Sequence, residues 1–462
     1  MTVIPEFIKD ALKALQNEGY EAYIVGGAVR DSLRGVAIHD FDLTTSALPE
    51  QTAKIMTDKG FKTIIDQSSK YGTVVFIDPN DNSKRVEITT YRSDSGYSDA
   101  RHPDSVTFTT SLEEDAARRD FTVNSLYMDA DGNIKDPNNG RSDIEDKIIR
   151  AVGNPDRRFK EDALRILRAV RFEAQTGFTI EEKTAQAMKD NAELLSCISA
   201  ERVMKELTGI VTAANGPAAI RHSLEVVSVI IPELLIQRDF DQKSKFHDRD
   251  LLTHTLDVLG GIPLNEDGVK DTSLAFAALL HDIGKPEMFT IDENGVGHMK
   301  KHNVAGYAIT KRLSSELKFS NQMRDEVLEL VLYHDTFPEP EKKTIRKLVS
   351  ALGIPLCNKL FELQKSDVEA HSVYGKPRIE RLAKIIELYH EILEEKPCLT
   401  THDLAITGDD IIGLGVMQGP KVGEILHDIL NKVMDEILIN DHESLIKYVT
   451  IEYKTDCGGN VT

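Results

Sequence analysis

The feature that most constrains this chain is a change of hydrophobic period near Ile148. Upstream, short runs of alternating or β-branched residues (EAYIVGG, FDLTT, GTVVFI, RVEITTY, VNSLYMD) are interleaved with the helical patterns PEFIKDALKALQNEG and LPEQTAKIMTDKG. Downstream, apolar residues recur at i, i+3 and i+4 through DALRILRAVRFEAQTG, AERVMKELTGIV and HSLEVVSVII, and strand patterns stop. Period 2 and period 3.6 bury different faces, so the two halves cannot share one layer architecture. The chain has 462 residues, room for about three domains at ~150 residues each. The expected fold is an α+β head with a mixed β-sheet (1–147), an all-α neck (148–236), a histidine-bearing helical domain (237–395) and a helical tail (396–462). Polar stretches at 237–250 and 394–403 read as linkers.

No apolar run approaches the ~18 residues of a membrane helix, and MTVIPEFIKD lacks the basic start and apolar core of a secretory leader, so the expected compartment is the cytoplasm. Cys197, Cys357, Cys398 and Cys457 are too scattered for a zinc or disulfide framework. With 56 basic against 76 acidic residues the net charge is -20, which argues against indiscriminate coating of nucleic acid and leaves room for a local basic groove.

In YIVGGAVRDSLRGVAIHDFDL (23–43) two glycines separate a strand from a helix expected to begin near Ala28. Glycines let a polyphosphate approach the backbone, and Gly26, Gly27 and Arg30 form a phosphate cradle on this reading; a bland tight turn gives the same pattern. Asp40-Phe41-Asp42 follows at the head of a second strand, where alternation puts both carboxylates on one face. Side by side they repel, and magnesium resolves the repulsion. Glu87 in RVEITTY is either a third carboxylate on a neighbouring strand or an edge-strand glutamate facing solvent. EDALRILRAVR sets Asp162, Arg165, Arg168 and Arg171 along one helix stripe at three-residue steps. Asp162 can accept from a base amino group and Arg165 can donate to a ring nitrogen or carbonyl; a solvated helix face with ion pairs has the same spacing.

GGAVRD, the DFD pair, RRDFTVNSLYMD (118–129), RRFKEDALRILRAVRFEAQTGF (157–178) and SAERVMKEL (199–207) resemble, in order and spacing, the motifs of class II tRNA nucleotidyltransferases, the CCA-adding enzymes and bacterial poly(A) polymerases. The resemblance covers about the first half of the chain. It implies Asp40 and Asp42 as magnesium ligands, Gly27 and Arg30 at the triphosphate, and Arg119 at the nucleotide. It further implies that Asp162 and Arg165 select CTP and then ATP without a template, with Arg168 and Arg171 nearer phosphate. The implied partners are CTP, ATP and the 3′ end and acceptor region of tRNA, with neither DNA nor membrane. The polar segment 91–108, with Arg101 and His102, matches a loop that CCA-adding enzymes need for the final A, and SSKYGTVVF (68–76) lacks the basic signature of poly(A) polymerases. CCA addition is therefore expected ahead of polyadenylation or A-only addition. ITGDDIIGLGVMQGPKVGEIL (406–426) resembles the family's tRNA-contacting tail.

His254, His281-Asp282 in AALLHDIGKP, and Asp367 follow the order of HD phosphohydrolases, with His302 and His334 as further candidate ligands and Lys285 placed to meet a substrate phosphate. Imidazole with carboxylate suits nickel, manganese, zinc or iron, and the resemblance implies a second, metal-dependent phosphohydrolase activity. A metal phosphohydrolase whose head merely binds nucleotide is the alternative from a different class.

Overall fold

The computed structural model describes residues 4–38, 40–65, 71–95, 105–244, 248–395 and 397–453. Arg101, His102 and Cys457 lie outside them. The chain divides into two compact units, 1–235 with 316–318, and 236–315 with 319–462.

The first unit opens with α1 (Glu6–Asn17), β1 (Ala22–Val25), α2 (Gly27–Leu33), β2 (Asp42–Thr45), α3 (Pro49–Asp58), β3 (Lys62–Ile64), β4 (Thr73–Asp78) and β5 (Asp81–Thr90). It continues through β6 (Arg92–Ser95), β7 (Ser105–Phe108), α4 (Leu112–Ala117), β8 (Tyr127–Met128), β9 (Ile134–Lys135), α5 (Gly140–Glu145) and β10 (Ile148–Ile149). Seven strands form one mixed sheet in the order β3-β4-β5-β2-β1-β8-β9, parallel only between β2 and β5. Its register sets the site: Val25 pairs with Asp42, and Asp42 with Glu87. The turn that follows Val25 therefore abuts the first carboxylate of β2. α1 buries Ile8, Leu12 and Leu15 and packs on β1 and α3, giving the sheet one covered face.

The neck follows as α6 (Pro155–Glu161), α7 (Leu164–Thr176), β11 (Thr179–Ile180), α8 (Glu182–Asp190), α9 (Ala200–Val211), α10 (Gly216–His222) and α11 (Leu224–Val227). α7 buries Ile166, Leu167, Ala169 and Val170 and packs against α9 and α10, leaving its arginines on the opposite stripe. α12 (Glu233–Gln237) straddles the division.

The second unit contains α13 (Leu251–Gly261), α14 (Thr272–Leu280), β12 (Thr290–Ile291), β13 (Gly297–His298), α15 (His302–Glu316), α16 (Asn321–Tyr333), α17 (Lys342–Leu352), α18 (Ile354–Glu369) and α19 (Lys376–Glu394). α14 is apolar on every side and every residue from Ser273 to Leu280 is buried, as expected of a central helix packed by α13, α16 and α18. α20 (Gly408–Gly413), α21 (Pro420–Met434) and α22 (His442–Glu452) end the described chain around a core of Ile411, Ile425, Ile429 and Leu445.

Four expectations need correction. Asp162 is not on the helix stripe: its backbone is extended (φ -144°, ψ 102°), it separates α6 from α7, and its Oδ1 accepts from the Leu164 amide instead. Strand β2 starts at Asp42, so Asp40 lies just before the strand. β5 lies between β4 and β2, so Glu87 is not on an edge strand, although its side chain is exposed. Short two-residue strands β10 to β13 persist beyond residue 147, too brief to leave an alternating signature.

Candidate nucleotide cavity and metal cluster

In the first unit one cavity of about 890 Å³ gathers most of the head and neck candidates. Gly26, Gly27, Arg30, Asp40, Asp42, Arg119, Asp162, Arg165, Arg168 and Arg171 all line it, and Glu87 does not. Glu87 pairs with Asp42 across parallel β2 and β5, which puts its carboxylate on the same sheet face as that of Asp42. Gly26 adopts φ 71°, ψ -136°, a conformation that side chains beyond glycine rarely hold, and a Cβ there would sit 3.9 Å from Asp42 Oδ2. The chain can thus run close to the carboxylate pair. Burial raises the Asp42 carboxyl above its ordinary range, and the neighbouring Asp40 raises it further, against Arg119 and Arg168. That is the electrostatic state of a carboxylate pair that a divalent cation would relieve.

The cationic wall is pre-arranged by acids, some within a helical turn and some distant in sequence. Asp115, fully buried on α4, accepts from Arg118 Nη2 at 2.6 Å, Arg119 Nη2 at 2.9 Å and Tyr127 Oη at 2.8 Å. Burial alone would raise the Asp115 carboxyl, but Arg119 and Arg118 outweigh it and hold it at about 2. Asp120 accepts from Arg168 Nη2 at 2.6 Å and from the Phe121 amide at 2.7 Å; burial opposes, yet Arg168 keeps its carboxyl at about 2. Asn124 bridges the two segments, donating to Asp120 Oδ1 at 3.3 Å and accepting from Arg30 Nη1 at 2.9 Å. Arg171 pairs with Glu206 at 2.5 Å, and Asp162 with Arg202 at 3.1 Å. Arg165 donates to Glu161 Oε2 at 3.1 Å and to the carbonyls of Arg158 at 3.1 Å and Arg118 at 3.0 Å. Eight basic and five acidic side chains line the cavity, an electropositive pocket in a chain of net charge -20, suited to a polyanion. Arg118, Asn124, Phe172, Arg202 and Lys205 are lining residues that the sequence reading did not single out. Arg202 and Lys205 stood three apart within SAERVMKEL, a signal available from helical spacing.

In the second unit the expected ligands converge. His254 on α13 places Nε2 3.1 Å from Asp367 Oδ1 and 3.5 Å from Asp282 Oδ2. His281, at the end of α14, places Nε2 3.1 Å from Asp282 Oδ2. His302 and His334 each lie 3.4 Å from Asp282 Oδ1, so Asp282 faces one group through each oxygen. Gly284 makes this possible, since a Cβ would lie 2.3 Å from the His302 carbonyl oxygen. Nδ1 of His281, His302 and His334 approaches the carbonyls of Ala278, Met299 and Val331 at 2.8, 2.9 and 2.7 Å. Donation there fixes the tautomer and turns each Nε2 lone pair inward, the arrangement of ligating histidines. His302 Nε2 and His334 Nε2 are 3.1 Å apart, and among the described residues buried His281 Nε2 makes no hydrogen bond. Converging lone pairs and an unsatisfied buried nitrogen fit a cation. His371, absent from the sequence reading, joins His254 and Asp367 in the same cluster. Lys285 Nζ is tied to Asp282 Oδ2 at 2.6 Å and to Gln242 Oε1 at 2.9 Å, so its charge is spent on the cluster before any substrate arrives. The mouth is a cavity of about 380 Å³ whose rim includes Lys300, Arg378 and His371.

Fold and sites together define a head-and-neck nucleotidyltransferase that also carries a helical domain with a buried histidine and aspartate cluster. Residues 22–150 match the Poly A polymerase head domain, 177–234 the probable RNA and SrmB-binding site of polymerase A, and 251–388 the HD domain. A CCA-adding enzyme of Lactobacillus johnsonii is 32% identical over 97% of this chain and 99% of its own length. The Bacillus stearothermophilus CCA-adding enzyme in complex with CTP is 29% identical with a TM-score of 0.72, covering 98% of this chain and 99% of that one. The Thermotoga maritima CCA-adding enzyme complexed with tRNA shares the fold at 20% identity and a TM-score of 0.60, covering 97% of this chain and 96% of that one. The chain belongs to the class II CCA-adding enzymes and carries an HD domain. Among the described residues no helix is long and apolar enough to cross a membrane.

Proposed function

We infer that this protein adds or repairs the 3′-terminal CCA of tRNA, using CTP and ATP without a nucleic-acid template and releasing pyrophosphate. The observation that carries the reading is that a single cavity unites the Gly26-Gly27 turn, the Asp40 and Asp42 pair and the neck arginines. In the reaction the 3′ hydroxyl of tRNA attacks the α-phosphate in line. Asp40 and Asp42, with Glu87 beside them, hold magnesium, which when bound supplies neutralising charge for the attacking and departing oxygens. Arg30 and Arg119 bind the triphosphate, their guanidiniums aimed by Asn124 and Asp115 before substrate enters. Asp162 and Arg165 read the base edge, with Arg168 and Arg171 nearer phosphate. Because Asp162 is paired with Arg202, and Arg165 with Glu161, the base exchanges partners with these side chains on entry. Backbone and 2′-hydroxyl contacts recognise tRNA by shape, with the tail holding its outer half.

The convergence of lone pairs in the second unit favours an additional reading: the HD cluster holds a divalent transition metal and hydrolyses phosphoesters. His254, His281, Asp282 and Asp367 would hold one ion, and Asp282, His302 and His334 would offer a second position. When bound, the metal supplies hydroxide near neutral pH.

Incubating the protein with magnesium, CTP, ATP and tRNA lacking its last three nucleotides should add two C residues and one A, read by sequencing the 3′ end. Long A tails would instead identify a polyadenylating enzyme, and no extension would refute the reading.

A further inference from the structure

Phe172 follows Arg171 on α7, is 5% exposed and lines the nucleotide cavity. Three guanidinium groups lie over its ring, with Cζ to centroid distances of 4.5 Å for Arg171, 5.2 Å for Arg30 and 5.3 Å for Arg168. Phe121 meets the same ring in a T-shaped contact, centroids 5.7 Å apart and planes at 87°, which fixes its orientation. Each arginine is also held by a carboxylate: Arg30 by Asp31, Arg168 by Asp120, Arg171 by Glu206. The nearest carboxylate differs for each of the three guanidiniums. The ring is shared by all three, and it joins Arg30 of the head helix to two arginines of the neck helix.

Three like charges converging in a partly desolvated pocket repel, and the electron-rich face of an aromatic ring opposes that repulsion without competing for substrate as a carboxylate would. We propose that Phe172 is a positioning residue for nucleotide binding, its π face gathering Arg30, Arg168 and Arg171 so that triphosphate and base meet one prearranged cationic wall. This rests on the assignment of the cavity to CTP and ATP. An aliphatic side chain of similar volume fills the core but lacks the ring's negative face.

The test uses the full chain and tRNA lacking its terminal nucleotides. Wild-type CTP and ATP addition is measured first, and its absence defeats the assignment of the cavity before Phe172 is examined. KM and kcat are then compared for Phe172→Leu, for Phe172→Tyr, and for proteins carrying phenylalanines with progressively more fluorine at position 172, which weaken the ring face at nearly constant volume. The expected result for Leu is a rise in KM of about tenfold for both nucleotides, equivalent to ~1.4 kcal/mol, with kcat and the KM for tRNA within about twofold. Tyr should restore KM to within about threefold, and log KM should climb steadily along the fluorine series. A flat fluorine series, or a Leu protein with unchanged nucleotide KM, overturns the proposal and leaves Phe172 as packing alone. If the Leu protein does not fold, the fluorine series decides.

Discussion

Replacing Asp115 by Asn tests whether the cationic wall is built from beneath. The substitution keeps the volume and one acceptor oxygen but leaves Arg118 and Arg119 over a neutral amide in a position with no solvent exposure. The fall of the Asp115 carboxyl from an ordinary 3.8 to about 2 corresponds to about 2.5 kcal/mol, at ~1.36 kcal/mol per pH unit. Stranding one partner of a buried pair costs about 3–5 kcal/mol, so the two routes meet at about 3 kcal/mol. For a unit of this size that is a fall in melting temperature of about 5–12 °C, followed by calorimetry as the transition of the first unit. The folded value lies below the unfolded one, so the stabilisation is complete well above pH 3.8 and is lost as pH falls towards about 2. Roughly half should be gone at pH 3, so the gap between wild type and Asp115→Asn should narrow by about that fraction between pH 6 and pH 3. Because Arg119 loses its anchor, KM for CTP and ATP should rise together by about tenfold. A melting gap of the same size at both pH values would show that packing, not charge, holds α4 in place. Unchanged nucleotide KM would show that Arg119 needs no carboxylate to bind substrate.

Two further expectations separate the sites. Asp42→Ala should abolish nucleotide addition while leaving CTP binding, followed by equilibrium dialysis, within about tenfold, because the arginines proposed for the triphosphate are anchored elsewhere; Asp282→Ala should leave addition unaffected. Adding Mn2+ or Ni2+ to chelated protein at 100 times its Kd should stabilise the second unit by about 2.7 kcal/mol, visible as a rise in its melting transition, and His281→Ala should remove most of that rise.

The residues of the head cavity and of the histidine and aspartate cluster were legible in the sequence to the extent that their spacing is local. Gly26 and Gly27 adjoin Arg30, Asp40 lies two residues from Asp42, and His281 precedes Asp282, so short motifs carried them. The pairings that orient these groups were not legible. Asp120 reaches Arg168 across 48 positions, Asp162 reaches Arg202 across 40 and Glu206 reaches Arg171 across 35, and no spacing rule connects residues brought together only by helix packing. Asp162 shows how a periodic reading fails: its side chain was placed on a helix face at three-residue steps, but an aspartate can satisfy an amide two residues on, and it ends one helix while accepting from the first amide of the next. The break keeps Asp162 beside the arginines while freeing its direction from theirs.

The two sites also balance charge in opposite ways, which bears on what each can bind. In the first unit Asp115 is buried away from the cavity lining while Asp120, Asp162 and Glu206 line it paired with arginines, and eight basic side chains outnumber five acidic ones, so the open space is electropositive and suits a polyanion. In the second unit the acids and imidazoles face one another, with the Nδ1 side of three rings committed to backbone carbonyls, so the space between them attracts a cation and leaves anion binding to the rim. Exchanging Asp282 for Asn should therefore weaken metal retention more than it weakens any substrate contact, whereas exchanging Asp115 for Asn should weaken substrate binding and leave magnesium affinity in place.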